Sequence, residues 1–165
     1  MRYTLLIAFA AIMLRWLLHA DQAIVDGHTF SPIHLLALLL VVFFAQRGAM
    51  QADRHVTFPM LVRTGFRNAA VYALLVAVFA YALYVWIDPL YFPIHINDRV
   101  DLAVADGIAE ADARKRFETM FSPFNYATLT LVAFMGAGIV YALLVGALHH
   151  KVLRGLTLPS PKERV

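Results

Sequence analysis

Four long apolar stretches constrain this chain more than anything else in its sequence. Residues 3–20, 31–46, 68–87 and 125–148 run almost free of charge. A helix needs about 20 apolar residues to cross a bilayer, and about 17 when its flanking side chains reach back to the headgroups. A water-soluble domain of 165 residues with 61% hydrophobic and 15% charged side chains would have too little polar cover for its surface. The expected fold is therefore an all-α membrane protein: one integral membrane domain over 1–165, with four transmembrane helices and a short periplasmic helical pair near 97–122.

Local signals place the boundaries. Ser31 reads as an N-cap and Pro32 as the first helical residue of the second span, which Arg47 closes. The third span can begin early, at Phe58-Pro59, with Arg63, Phe66 and Arg67 in the interface. It ends at Asp88-Pro89, because proline disfavours helical geometry in the residue before it. Met1-Arg2 and the apolar run behind them look like a signal peptide. Arg15 and Trp16 interrupt that run and no A-x-A site follows, so an uncleaved anchor is expected.

The loops agree on orientation. Between the first two spans lie Asp21 and Asp26 and no Lys or Arg, whereas the next connection carries Arg47, Arg54, Arg63 and Arg67 against Asp53 alone. The tail adds Lys151, Arg154, Lys162 and Arg164 against Glu163. Positive charge stays inside, which predicts both termini in the cytoplasm of a bacterial inner-membrane protein. Dispersed over loops, the net charge of +3 orients the chain, and nucleic-acid binding is not expected.

The long outer loop predicts two short helices. Asn97 or Asp98 caps the first, which carries Val100, Leu102, Ala103 and Val104 and stops at Gly107. The second runs from about Ala109 to Phe121, with Glu110 and Asp112 favourably placed at the positive end of its dipole. Ile108, Phe117, Met120 and Phe121 form its apolar face, and Pro123 follows as a stop. The pair can rest on the bilayer surface or dock a periplasmic partner.

Arg63-Thr64-Gly65-Phe66, the Ile87-Asp88-Pro89-Leu90-Tyr91 segment, the Gly107-Ile108-Ala109-Glu110-Ala111 joint and a glycine-containing last span follow one another in a familiar order. The chain resembles a domain-of-unknown-function family of small four-helix bacterial inner-membrane proteins. That resemblance implies a fold and a location, and brings no catalytic residues.

Candidate functional groups are few. Arg15 is the intramembrane charge, either snorkelling or paired with Asp21 or Asp88, or else touching a partner or lipid. His19, His28, His34 and His95 gather on the outer side near Asp21, Asp26, Asp98 and Asp101, but their spacing fits no metal motif, and no metal or other cofactor is expected. Arg47, Arg63, Arg67, His149, His150, Lys151 and Arg154 share the cytoplasmic side, as orientation signals or as contacts for an anionic lipid. Gly138, Ala142 and Gly146 make a small-residue stripe in the last span, and Ala69, Ala73 and Ala77 one in the third. Such stripes let helices approach closely, within the chain or against another protein. Tyr72, Tyr81, Tyr84, Trp86 and Tyr91 read as packing groups and interfacial anchors.

Cysteine is absent, which removes disulfide and thiolate chemistry. G-x-S-x-G, P-loop, H-E-x-x-H and G-x-G-x-x-G motifs are absent too, and Ser31, Ser122 and Ser160 sit in no nucleophile context. Three functions stay open: a non-catalytic accessory or scaffold subunit of a larger membrane complex, a small oligomeric permease, channel-like or lipid-handling protein, and a membrane enzyme or metal-site protein. The first is preferred, with membrane lipids and other inner-membrane subunits, or copies of itself, as partners.

Overall fold

The structure is a computed structural model that describes residues 1–20, 27–53 and 55–153. Among the described residues six α-helices follow in order: α1 (Arg2–Ala20), α2 (Gly27–Ala52), α3 (Phe58–Ala82), α4 (Tyr91–Ala105), α5 (Glu110–Met120) and α6 (Pro123–Leu148). Among the described residues there is no strand. Wider π-turns continue α3 through Leu83–Ile87 and α6 through His149–Leu153. Four segments, Arg2–His19, Pro32–Ala52, Phe58–Ile87 and Pro123–Val152, are long and apolar enough to cross a membrane.

Several boundaries differ from the sequence reading. α2 starts at Gly27, so Pro32 lies inside it and Ser31 does not cap it. Proline is tolerated this close to a helix start, where only one or two intrahelical bonds are at stake. The helix also runs past Arg47 to Ala52, which makes α1 the shortest of the four long helices. α3 does begin at Phe58 and gives out before Asp88-Pro89, where the Asp88 N–H closes the π-turn on Leu83 O at 2.8 Å. α6 begins at Pro123, which opens that helix instead of ending α5. Ser122 Oγ accepts the Asn125 N–H at 3.2 Å. A serine N-cap with proline at the first helical position is a favourable start.

The chain divides into two compact units, Met1–Ala73 with Ala133–Val165, and Leu74–Val132. In the first unit neighbouring helices alternate in direction. Tyr3 of α1 stacks on Phe44 of α2 (5.7 Å), His34 of α2 meets Tyr72 of α3, and Ala69 of α3 faces Gly138 of α6. One end of this unit thus collects the start of α1, the end of α2, the start of α3 and the end of α6. Ala8, Leu38, Val41, Val42, Leu61 and Val145 fill its interior.

The second unit has its own core. Tyr84 sits among Tyr91, Phe92 and Tyr126 with ring centroids 4.7, 5.0 and 5.1 Å away. α4 turns Phe92, Ile96, Val100 and Ala103 inward, and α5 turns Ala113, with Phe117 and Phe121 packed against the same cluster. α4 starts at Tyr91, earlier than expected, so Asn97 and Asp98 cap nothing. Pro93 falls in its first turn, where a missing N–H costs nothing. Asn97 accepts from Arg114 Nη1 (3.0 Å) and Arg114 pairs with Glu110 (3.2 Å), which ties α5 to α4. Gly107, at φ 88°, does end α4. Its N–H reaches Val104 O (2.9 Å) and the Ile108 N–H reaches Ala103 O (3.0 Å), the paired bonds of a Schellman stop.

Candidate functional site

The interior of the first unit is more polar than its sequence suggests. Buried there are Thr4 and Arg15 from α1, His34 and Gln46 from α2, Asn68 and Tyr72 from α3, and His149 just beyond α6. A buried polar group without a partner costs about 1–3 kcal/mol, so each needs an account.

Thr4 Oγ1 donates to Asn68 Oδ1 at 2.7 Å, and Asn68 Nδ2 donates to Thr64 O at 2.9 Å, which joins α1 to α3. His34 Nδ1 and the Tyr72 hydroxyl lie 2.8 Å apart, and that hydroxyl is 3.4 Å from His34 O. Phe134 closes the group edge-on, 5.9 Å from the His34 ring and 6.3 Å from Tyr72. Arg15 is near enough for its charge to act on His34. His34 Nε2, facing inward, has no hydrogen-bond partner among the described residues. Tyr72 falls midway along the continuous helix from Phe58 to Ile87, so this group occupies the middle of that helix.

The snorkelling reading of Arg15 and the interfacial reading of His34 both fail. Arg15 is 3% exposed and His34 1%, so the first does not reach outward from a helix end and the second is no interfacial histidine. The cause is the earlier start of α2, which carries His34 two turns into the bundle. His95 bonds Tyr91 O at 2.8 Å and stacks on that ring at 4.2 Å within α4. Asp21, Asp26 and the His28 side chain lie outside the described residues. Among those described, no three His, Asp or Glu side chains are placed to hold a metal.

The small-residue stripes are filled from within the chain. A Cβ on Gly138 would lie 2.7 Å from Ala69 Cβ. Ala142 offers its carbonyl to Gln46 Nε2 at 2.8 Å. A Cβ on Gly146 would meet Phe58 and Val62 at 3.3 Å and Gln46 Nε2 at 3.5 Å, and one on Gly65 would meet Gln46 Nε2 at 2.5 Å. Gln46 therefore fills a slot that two glycines leave open, with its Oε1 lacking a partner among the described residues. Ala73 and Ala77 are buried as well. Sequence reasoning missed Gln46, Thr4, Asn68 and Gly65. The available signal was an isolated polar residue near small ones within an apolar run.

The basic set separates into two kinds. Arg47, Arg63, Arg67 and Lys151 are exposed. His149 is not: its ring is 1% exposed, Nδ1 donates to Val145 O at 3.0 Å, and Phe43 lies 4.8 Å away. His150 rests edge-on against Phe58 at 6.1 Å. Arg154 lies outside the described residues. Compared with protein-family models, curated proteins and solved structures, the chain finds no match.

Proposed function

We propose that this chain is a multi-pass protein of the bacterial inner membrane, with both ends in the cytoplasm, serving as a non-catalytic subunit packed against a larger membrane complex. Insertion is supported by the four long apolar helices and by what they turn outward: Leu6, Phe9, Leu129 and Leu144 are each more than 60% exposed. Such surface is unfavourable in water and costs nothing against lipid. Orientation rests on Arg2, Arg47, Arg63, Arg67 and Lys151, which the alternating helices gather at one end of the first unit against the described acid Asp53. The resemblance to four-helix inner-membrane proteins belongs to the same reading.

The observation that carries the subunit reading is the α4–α5 pair. It has a closed core and a tight glycine stop, yet leaves Leu90, Ile94, Leu102, Ile108 and Met120 between 45% and 64% exposed. A loop that only joined two helices would need neither the core nor the outward apolar residues, whereas an element docked on a partner or resting on the bilayer surface needs both, and we take the partner as the reading to test. Gentle detergent extraction followed by native mass spectrometry tests this. Other membrane subunits co-purifying in fixed stoichiometry, and lost on Leu102→Asp with Met120→Asp, are the expected result. A homo-oligomer alone, unchanged by the two substitutions, refutes it.

A second reading, a small oligomeric permease or lipid-handling protein, draws on the buried Arg15, His34 and Tyr72. Ionisable side chains inside a membrane bundle are costly and commonly mark a path. Reconstituted vesicles that leak a solute only with His34 intact would favour it over the first.

A further inference from the structure

The outward face of α3 reads Met60, Arg63, Arg67, Leu74, Val78, which at helical spacing places both arginines on one line with apolar residues to either side. They point away from Gly65 and Ala69, the residues that face α2 and α6. Both are exposed, and neither has an ion pair or hydrogen bond among the described residues.

Their level in the bundle follows from the contacts. Ala69 faces Gly138, while Phe58 and Val62 face Gly146. Arg63 and Arg67 therefore stand beside the stretch of α6 between those two glycines. That stretch turns Ile139, Val140, Leu143 and Leu144 outward, at 45% to 63% exposure. Beyond it, the first Lys or Arg along α6 is Lys151, about 20 Å past Gly138 at ~1.5 Å per residue. On the membrane reading above, two guanidinium groups without a partner among the described residues thus sit at the cytoplasmic margin of the apolar belt, where a charge costs less than the about 2.5–3.5 kcal/mol of mid-depth but still gains from an anionic partner.

We propose that Arg63 and Arg67 together hold the phosphate of one anionic phospholipid of the cytoplasmic leaflet, drawn in beside α3. Two guanidinium groups one helical turn apart can each give paired N–H donors to phosphate oxygens. The face matches a lipid in order as well as charge: cations nearer the basic end of the bundle, then apolar side chains only. Asp53, the acid described in this unit, accepts the His55 N–H at 2.8 Å and forms no ion pair with either arginine among the described residues.

The test uses the full chain in neutral detergent, with phosphatidylglycerol, phosphatidylcholine or inorganic phosphate added, read by native mass spectrometry and by thermal unfolding. Phosphatidylglycerol is expected to stay bound and raise the unfolding temperature, and the other two to do neither. Arg63→Gln or Arg67→Gln should weaken retention about fivefold and the pair together about thirtyfold, from ~1 kcal/mol per basic residue. Arg2→Gln with Lys151→Gln removes the same charge elsewhere and should change retention far less. Equal loss in that control, an equal effect of inorganic phosphate, or an acidic protein released by the double substitution each overturns the proposal. Should the double Gln variant fail to fold, each single variant decides: unchanged retention in both refutes it. Alkaline carbonate extraction separates the two levels. A chain released from membranes by carbonate defeats the membrane reading itself, whereas one that is retained without phosphatidylglycerol preference defeats this inference alone.

Discussion

Replacing Gly138 by alanine tests whether α3 and α6 meet at a distance that only a missing side chain permits. The added Cβ would lie 2.7 Å from Ala69 Cβ, where ordinary contact begins at 3.4 Å. A methyl group has no rotamer to change and Ala69 is fully buried, so the two helices must part along the seam. Overpacking of this kind costs about 1–3 kcal/mol. Replacing glycine within a helix returns about 1 kcal/mol, which leaves a net loss of ~1 kcal/mol. Gly136, two residues away, has nothing within 4 Å of its would-be Cβ. Gly136→Ala should therefore be neutral or stabilising by up to ~1 kcal/mol. Ala69→Gly reopens the seam, so in the Gly138→Ala background it should recover stability that it costs in the native chain. The assay is SDS titration of the full chain in mixed micelles, followed by far-ultraviolet circular dichroism. A coupling below ~0.5 kcal/mol between positions 69 and 138, or equal damage from both alanines, refutes the packing argument.

Tyr72→Phe takes the hydroxyl from His34 Nδ1 and leaves neither ring nitrogen a partner among the described residues, a loss of about 1–3 kcal/mol. Adding His34→Leu should cost less than the sum of the two single changes in the same titration. Gly107→Ala forces a side chain into left-handed backbone at about 1–2 kcal/mol. Hydrogen exchange should quicken over Tyr91–Met120 while the first unit is unchanged. Ser122→Ala removes the cap on α6, worth ~1 kcal/mol, and should appear as faster exchange at the Asn125 and Tyr126 amides.

Features set by neighbours in sequence were the legible ones. Phe58-Pro59 and Asp88-Pro89 bounded the third long helix, and Gly107 marked a stop, because each acts through its own backbone. Features set by distant neighbours were not. Gln46 sits beside Arg47 and reads as the frayed end of a span. It is buried only because Gly65 and Gly146, far along the chain, leave room for its amide. Hydropathy likewise sees Arg15 near the end of an apolar run, but has no means of knowing which helices enclose it. His34 was misplaced for a local reason, since Ser31-Pro32 is so good a helix start that the true beginning at Gly27 was concealed. The paired stripes of Ala69 and Gly138 announced a close approach, and the contact resolved it as one within the chain.

The Gln46 slot has a consequence for how such a sequence can drift. A larger side chain at position 65 or 146 is tolerable only once residue 46 has shrunk, while a shrunken residue 46 leaves a hole until one of the glycines has grown. The order of substitutions then matters, and single steps taken in the wrong order pass through a damaged intermediate. Three positions from three separate stretches of the chain are thereby inherited as one. Among descendants of this sequence, the identity of residue 46 should forecast the size of residues 65 and 146 better than either residue's own neighbours do.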